Sequence, residues 1–317
     1  MPGVPDIKKN LELLSIDITS KCNLCCAHCY NESGGSGEKD ISQDEILGII
    51  DAVKDYKPEN ICLCGGEPLL KDGVMEMLAA ASRVSPGVGM VSNGLLVTPD
   101  VAGKLKENGL KTIQISLDGA KEYQHDSLRG LSGSFKAACS AVKSLKEAGV
   151  PTVVVDMIPN RLNYQCLEEY FELCLSLGAD MVRFMPFMPV GRGGRFGADL
   201  MPDDEEMLAF QRNLTEIRKR YKPYILAEWD DPVMSARFIC RQIKDTGIPK
   251  IISVFANGDV ATDVYAPVHI GNIRKSSFKD ILDHGLSKAV ESGSFEDILK
   301  ELHNLNDLEG IRRRFST

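Results

Sequence analysis

The chain has no long apolar run, no excess of positive charge and no apolar segment at its start. None of its apolar stretches approaches the roughly 20 residues needed to cross a bilayer, so we predict no membrane span. Lys and Arg number 37 against 45 Asp and Glu, and the net charge of −8 argues against a nucleic-acid surface. Residues 1–10 contain no apolar run either, which predicts no signal peptide and a cytoplasmic protein.

Cysteine, by contrast, is abundant. Ten cysteines without a secretory signal indicate a reducing compartment, where they serve as core residues, ligands or reactive thiols. Four of the ten fall within eight residues, at Cys22, Cys25, Cys26 and Cys29. Thiolates this close on one loop share a metal or a cluster, pair as disulfides, or adjoin by coincidence.

Two spacings are present in this loop. A pair of C-x-x-C units would resemble a four-thiolate zinc site, but such sites usually separate their units with a spacer that is missing here. The other spacing, C-x-x-x-C-x-x-C, uses Cys22, Cys26 and Cys29. Three thiolates on a [4Fe–4S] cluster would leave one iron free for a substrate or cofactor.

Short apolar runs alternate with longer amphipathic ones between residues 12 and 186. The predicted strands are 12–18, 59–64, 87–91, 112–117, 151–156 and 181–186. The predicted helices lie near 43–56, 70–84, 98–108, 134–148 and 164–177. Six such units favour an α/β fold, a partial (β/α)6 TIM-like barrel, and the chain is long enough for a small C-terminal domain as well.

Polar or glycine-rich loops follow the predicted strands. They are Gly65-Gly66-Glu67-Pro68 after the second strand, Ser92-Asn93-Gly94 after the third, and Ser116-Leu117-Asp118-Gly119 after the fourth, with His125-Asp126 and Arg129-Gly130 beyond. Each loop alone is ordinary turn chemistry. Active sites in such barrels lie at the carboxyl ends of the strands, so the shared position of these loops and the cysteine loop indicates one site.

Together these motifs resemble those of radical S-adenosylmethionine (SAM) enzymes. The resemblance rests on the cysteine spacing, Gly-Gly-Glu-Pro, Ser-Asn-Gly, Ser-Leu-Asp-Gly and His-Asp-x-x-Arg-Gly, and it covers roughly residues 12–195. The last two signatures are similar to the branch whose C-terminal extension is a SPASM or twitch domain. That branch includes enzymes that modify ribosomal peptides, sulfatase-maturing enzymes, and some sugar and cofactor enzymes.

The resemblance implies a [4Fe–4S] cluster held by Cys22, Cys26 and Cys29, with Cys25 packed beside the loop. In the family the free iron binds SAM, and an electron from the cluster cleaves it to methionine and a 5′-deoxyadenosyl radical, which takes a hydrogen atom from the substrate. His28 stands where many members have an aromatic residue. With Tyr30 beside it, His28 is expected to cover the adenine.

The resemblance also implies contacts to the amino-acid part of SAM. Glu67 and the backbone of Gly65 and Gly66 suit the SAM ammonium, because glycine permits close approach and a carboxylate pairs with positive charge. Arg129 is predicted to bind the SAM carboxylate through two parallel hydrogen bonds. The alternative for Arg129 is a surface salt bridge with Asp126 or Glu122.

The resemblance also suggests SAM contacts for residues after the third, fourth and fifth strands. Asn93 and Ser116 are candidates for polar contacts to the ribose or methionine part of SAM, and the segment from Met157 to Asn160 for a backbone contact to adenine. The remaining cysteines of the barrel are interpreted as core residues: Cys62, Cys64, Cys139, Cys166 and Cys174.

The C-terminal part departs from the family pattern. A hairpin about Asn257-Gly258, followed by Gly271-Asn272-Ile273, is similar to the SPASM/twitch extension. Thr262 and Asp263 stand where a cysteine is expected, and only Cys240 remains beyond residue 174. One cysteine cannot hold a four-iron cluster, so we predict a SPASM/twitch-like domain without an auxiliary cluster. The predicted domains are 1–195, a helical linker at 196–235, and 236–317.

The resemblance implies an enzyme that modifies a ribosomally made peptide, with epimerisation favoured and Cys240 as the thiol that returns a hydrogen atom. The alternatives are peptide oxidation or cross-linking, dehydrogenation or rearrangement of a sugar-like molecule, and a metal-binding regulator without catalysis. The expected partners are a peptide substrate and an electron donor such as flavodoxin or ferredoxin. No nucleic-acid or membrane partner is expected.

Overall fold

The computed structural model describes residues 11–197 and 199–315. Its strands are β1 Leu13–Thr19, β2 Asn60–Gly65, β3 Gly87–Ser92, β4 Thr112–Ser116, β5 Thr152–Met157, β6 Met181–Phe184, β7 Leu226–Trp229, β8 Ile251–Val254, β9 Asp259–Ala261 and β10 His269–Asn272. All six predicted strands are present, with their ends shifted by at most a few residues. The predicted strand pattern of an α/β fold is therefore confirmed.

The helices confirm the same alternation. They are α1 Gln43–Val53, α2 Val74–Val84, α3 Pro99–Glu107, α4 Glu122–Arg129, α5 Ser134–Glu147, α6 Leu167–Leu177, α7 Arg192–Phe196, α8 Asp204–Tyr221, α9 Pro232–Thr246, α10 Phe278–Asp280, α11 Leu286–Glu291, α12 Ser294–Glu301 and α13 Asp307–Phe315. Short 3₁₀ turns occupy Lys54–Tyr56 and Pro68–Leu70, and a π-helical turn occupies Ile281–Gly285. In the described part of the chain, no helix is long and apolar enough to cross a membrane.

The chain divides into two compact units, each made of separate stretches of sequence. Among the described residues, unit 1 contains 11–21, 35–89 and 232–315, and unit 2 contains 22–34, 90–197 and 199–231. This division differs from the predicted one because the C-terminal strands share a sheet with the first strand, and because β7 lies inside the predicted helical linker.

In unit 1 the strands follow the order β10-β9-β8-β1-β2. Strand β1 pairs in parallel with both β2 and β8, while β8, β9 and β10 are antiparallel. The predicted hairpin is present between β8 and β9, where Gly258 adopts φ +89°. The apolar side chains of one strand face, such as Leu14, Ile16, Ile61 and Leu63, are completely buried.

In unit 2 the strands β4-β5-β6-β7 are all parallel. Phe184 on β6 packs against Tyr170 and Phe171 of α6 and Phe210 of α8, so this strand face meets the helices. Since side chains alternate along a strand, Arg183 and its neighbours in register point to the other face.

Candidate active site

The cysteine loop lies at the start of unit 2. Cys26 is buried, whereas Cys22 and Cys29 are half-buried. Burial raises the pKa of the Cys26 thiol, Arg129 opposes that shift, and Cys29 and Cys22 add to it, so the three sulfurs are close enough to interact. Cys25 is exposed, which corrects the prediction that it packs beside the loop.

Hydrogen bonds to the backbone of this loop, made by residues distant in sequence, hold the loop in place. Arg192 donates from Nε to the Cys26 carbonyl oxygen at 2.9 Å and from Nη1 to that of Ser33 at 2.8 Å. The Ala27 amide donates to the Leu128 carbonyl oxygen at 2.9 Å. At Gly191, with φ +58°, a Cβ atom would lie 2.5 Å from the Tyr30 carbonyl oxygen, so only glycine permits this approach.

A buried ion pair lies beside the loop. Arg129 donates from Nε to Oδ2 of Asp118 at 2.6 Å, and its Nη2 is 2.5 Å from the same oxygen. Burial alone would lower the pKa of Arg129, but the charge of Asp118, the Cys26 sulfur and the hydrogen bond to Asp118 together outweigh burial and raise that pKa. The salt-bridge alternative for Arg129 therefore has the wrong partners: Asp126 instead accepts from the Gly133 and Phe135 amides at the start of α5.

Asp118 is satisfied on every side. Its carboxylate also accepts from the Ile158 amide at 2.9 Å, and its own amide donates to Nδ1 of His125 at 2.9 Å. Burial would raise the pKa of this completely buried carboxyl, but Arg129 and the nearby histidines hold it below its ordinary value. Burial also lowers the pKa of His125 to about 4, so its ring is neutral and its Nδ1 can accept.

His28 is neutral at physiological pH as well. Burial, followed by the charge of Arg129, lowers its pKa to about 3. Its ring centroid lies 6.3 Å from that of Phe187, and its buried Nδ1 atom has no hydrogen-bond partner within the described residues. A neutral, flat ring with one unused nitrogen fits the predicted adenine contact, which stays a prediction.

The loop and its surroundings fit an iron–sulfur cluster. Nη1 of Arg129 lies 3.8 Å from Sγ of Cys26, and Nδ2 of Asn93 lies 3.9 Å from Sγ of Cys22. Hydrogen-bond donors directed at the sulfurs are among the features that set a cluster's reduction potential. Among the described residues no three side chains are gathered as for a single metal ion, whereas a cluster spreads its thiolates over several irons.

The predicted SAM-binding glycines are in unit 1. Gly65 has φ +126°, and a Cβ atom on Gly66 would lie 2.0 Å from the Lys21 carbonyl oxygen. The Gly66 amide donates to the Thr19 carbonyl oxygen and the Glu67 amide to the Lys21 carbonyl oxygen, both at 2.8 Å. The glycines are therefore required by the close approach of residues 19–21, a packing role that the sequence alone did not reveal.

Glu67 is completely buried, and its Oε1 accepts from the Leu69 amide at 3.2 Å. Its pairing with the SAM ammonium stays a prediction.

The other residues predicted to contact SAM differ in burial and in the hydrogen bonds they already make within the protein. Asn93 donates to the Asn23 side chain at 2.7 Å, so it holds the cysteine loop as well. Ser116 is buried at the end of β4, and Met157 is buried at the end of β5. Next to Met157, the Ile158 amide is taken by Asp118 and its carbonyl oxygen by Asn160 and Asn163, which leaves less free backbone for adenine.

Sequence reasoning missed a polar row on unit 2. Ser116, Asp156, Arg183 and Glu228 are neighbours in register across β4 to β7, on the face opposite the helices. Asp156 is 4% exposed, and its Oδ1 has no partner within the described residues. Burial, followed by the charge of Asp118, raises its pKa to about 7. The signal was available, because Asp156 is the one charged residue of the strand Thr152–Met157.

The other cysteines divide into two groups. Cys166 and Cys174 are buried and Cys139 is half-buried on α5, close to the core role predicted for them. The core interpretation of Cys62 and Cys64 is wrong. Both are half-buried and alternate with the completely buried Ile61 and Leu63, so they lie on the opposite strand face.

Cys240 is 2% exposed on the inward face of α9, alongside Ala236 and Ile243. Burial, followed by the charge of Asp263, raises its pKa to about 12. The thiol is thus protonated at neutral pH. Its predicted role as a hydrogen-atom donor stays a prediction.

Comparison with protein families matches residues 16–174 to the Radical SAM superfamily. Mycofactocin maturase MftC of Mycolicibacterium smegmatis is 33% identical over 193 residues, 61% of this chain and 49% of the relative. Sporulation killing factor maturation protein SkfB of Bacillus subtilis is 31% identical over 68% of this chain and 52% of the relative. The chain thus spans about half the length of these two curated relatives.

One relative is matched over most of its length. AdoMet-dependent heme synthase of Methanosarcina barkeri is 27% identical over 94% of this chain and 86% of that protein. Among solved structures, Streptococcus suis SuiB bound to S-adenosylmethionine has a TM-score of 0.73 at 14% identity, over 94% of this chain and 74% of SuiB. At that identity the likeness concerns the fold, and it confirms the predicted partial-barrel α/β architecture.

Proposed function

Since this chain belongs to the Radical SAM superfamily, and is therefore a radical SAM enzyme with a [4Fe–4S] cluster and SAM as cofactors, we propose that it modifies a ribosomally made peptide by epimerising one residue. The observation that carries the peptide-modifying part of the proposal is the 33% identity with a maturase over 193 residues. A structure of SuiB with the precursor peptide SuiA, similar in fold to this chain with a TM-score of 0.71, also supports a peptide substrate.

The cysteine loop is where the cluster would be held, by Cys22, Cys26 and Cys29. When bound, the cluster and SAM supply a carbon radical that removes a hydrogen atom from the substrate. Arg129 keeps a fixed positive charge next to the Cys26 sulfur, and Asp118 keeps Arg129 in position. Positive charge next to a thiolate ligand favours its deprotonated form and offsets the negative charge of a cluster.

Two side chains have a proposed contact to the amino-acid part of SAM. Glu67 supplies a buried carboxylate for the ammonium. Arg129 uses Nε and one Nη2 hydrogen for Asp118 and one Nη1 hydrogen for the Cys26 sulfur, so the remaining Nη1 and Nη2 hydrogens would serve the SAM carboxylate. His28 would contribute its neutral ring to adenine, next to Tyr30.

Epimerisation needs a hydrogen atom returned to the substrate carbon from the opposite face. An S–H bond is weaker than the C–H bond that is formed, so a protonated thiol is suited to this step. The raised pKa of Cys240 keeps its sulfur protonated at neutral pH. Cys240 is therefore the proposed donor to the substrate.

A second candidate function is a step in heme synthesis. The observation that favours it is the match to the heme synthase, which spans 94% of this chain and 86% of that relative. A tetrapyrrole is a flat, rigid molecule, unlike an extended peptide. Binding and turnover of an iron porphyrin would distinguish the two proposals.

The test uses the full-length reconstituted enzyme with SAM and dithionite in heavy water. The candidate substrates are the short peptides encoded beside its gene, tested alongside an iron porphyrin. Epimerisation predicts one deuterium at the α-carbon of one residue and a D-residue after hydrolysis. Loss of two hydrogens from the peptide would instead indicate oxidation or cross-linking, and turnover of the porphyrin alone would refute the peptide proposal.

A further inference from the structure

Cys62 and Cys64 form a pair of thiols on β2. Their Sγ atoms are 3.2 Å apart, and either sulfur can donate a hydrogen bond to the other. They are half-buried and lie on the strand face opposite the completely buried Ile61 and Leu63. The pair is thus placed away from the aliphatic core, and both residues are partly exposed.

The surroundings of the pair are polar. Ser15 of β1 is the neighbour of Cys62 in register and donates from Oγ to Sγ of Cys64 at 3.8 Å. Ser253 of β8 is the next residue in the same row, is 2% exposed, and has an Oγ atom without a partner in the described residues. A buried hydroxyl without a protein partner is unusual in a folded protein, so this face carries an unused polar group beside the two thiols.

Position along the strand adds a second argument. Cys64 lies three residues before Glu67, whose carboxylate is proposed to hold the SAM ammonium. The pair is therefore at the carboxyl end of β2, where βα loops of this fold carry their chemistry.

We propose that Cys62 and Cys64 are a hydrogen-atom donor pair that quenches the carbon radical formed from SAM when no substrate is present. The carbon radical takes a hydrogen atom from one thiol, so a C–H bond forms and an S–H bond breaks, leaving a sulfur radical. One electron from the low-potential donor that reduces the cluster, together with one proton from solvent, restores the thiol. The inference rests on SAM binding at Glu67, which is part of the proposed function.

The geometry favours two free thiols over a disulfide. Residues two apart on a strand have Cα atoms about 6.6 Å apart, close to the upper limit that a disulfide tolerates. The neighbouring sulfur can instead share the unpaired electron across 3.2 Å. The hydrogen bond from Cys62, followed by burial, raises the pKa of Cys64 well above its ordinary value, which keeps the S–H bond needed for donation.

The first measurement uses the full-length reconstituted protein with SAM and dithionite in heavy water, without any peptide. Exchangeable thiols then carry deuterium, so the 5′-deoxyadenosine that forms should contain it. The double variant Cys62→Ser/Cys64→Ser should lose that deuterium, because the O–H bond of serine is too strong to donate. The matched control Cys139→Ser, on α5, should keep it.

The second measurement does not depend on turnover. SAM without a reductant should slow labelling of Cys62 and Cys64 by N-ethylmaleimide, read by mass spectrometry, and leave labelling of Cys139 unchanged. Deuterium that persists in the double variant, or that is absent from the wild-type product, overturns the donor pair while SAM cleavage itself still supports the proposed function. A wild-type protein that fails to cleave SAM refutes the proposed function. Labelling of Cys62 and Cys64 that SAM does not slow refutes the position of the pair next to SAM, independently of turnover.

Discussion

Nε of Arg129 lies 2.6 Å from Oδ2 of Asp118, and both side chains are buried. This pair fixes a positive charge next to the Cys26 sulfur, so it connects the motif after β4 to the cysteine loop. Removing one member leaves the other as an unpaired charge in the interior, which is more costly than losing the whole pair.

Asp118→Ala should therefore destabilise the fold by roughly 3–5 kcal/mol. Denaturant unfolding at neutral pH measures this free energy, with the exposed Asp100→Ala on α3 as control. The depressed pKa of Asp118 means that its contribution is present above the ordinary value of 3.8 and is lost as pH falls through the folded-state value. Equal destabilisation by both variants would contradict the buried-pair argument.

Asp156→Asn should have the opposite effect on stability. The folded protein raises this pKa from 3.8 to about 7, so the folded state binds the proton more tightly than the unfolded state. Between these two values wild-type stability falls as pH rises, and above about 7 the full penalty of a buried charge remains. The variant should gain roughly 2–4 kcal/mol at pH values above 7 and little near pH 4. A gain that does not depend on pH would exclude this cause.

Changing Cys22, Cys26 and Cys29 together to Ala should remove all iron from the reconstituted protein. The three sulfurs interact around the buried Cys26, whereas Cys25 is exposed. Cys25→Ala should consequently retain about four irons per chain. Iron and sulfide analysis decides the matter, and about four irons left in the triple variant would mean that the ligands lie elsewhere.

Glu67→Ala should weaken SAM binding by roughly 1.5–3 kcal/mol, because a charge-assisted hydrogen bond to the ammonium is lost. Isothermal titration of the reconstituted protein with SAM measures the change. Glu67→Gln keeps an acceptor for the Leu69 amide and separates loss of charge from loss of fold. The exposed Glu76→Gln on α2 is the matched control, and unchanged affinity in Glu67→Ala would remove Glu67 from the SAM site.

Cys240→Ala should still bind SAM and still release 5′-deoxyadenosine. With the proposed donor absent, the epimerised peptide should disappear from the product mixture. Mass spectrometry and chiral amino-acid analysis of the peptide make the measurement, with the buried Cys174→Ala as control for packing. Wild-type product at the wild-type rate would identify Cys240 as a packing residue and leave the epimerisation proposal without its donor.

The sequence predicted the strands and the cysteine loop because these signals are local. Alternating apolar runs placed β1 to β6, and three cysteines at a fixed spacing identified the loop that holds Cys22, Cys26 and Cys29. The partner of Arg129 was not predictable in the same way. Asp118 and Asp126 both lie within eleven residues of Arg129, and only the fold determines which carboxylate is buried with it.

The error about Cys62 and Cys64 has a different physical origin. Cysteine occurs both on buried and on partly exposed strand faces. A strand with cysteine at alternate positions can therefore be buried on both faces or on one face only, with the same sequence pattern. The sequence therefore left open which face of β2 carried the core. The buried Ile61 and Leu63 settle it in the structure.

Strand β8 of the C-terminal region pairs with β1 and so covers one edge of the first strand. Leu13 to Ile16 pair in parallel with Ile251 to Val254. A protein shortened to residues 1–231 would leave that side of β1 as an open edge, with its amides and carbonyl groups free to join a strand of another molecule. Such a fragment would self-associate through this edge. Experiments on the cysteine loop therefore require the whole chain.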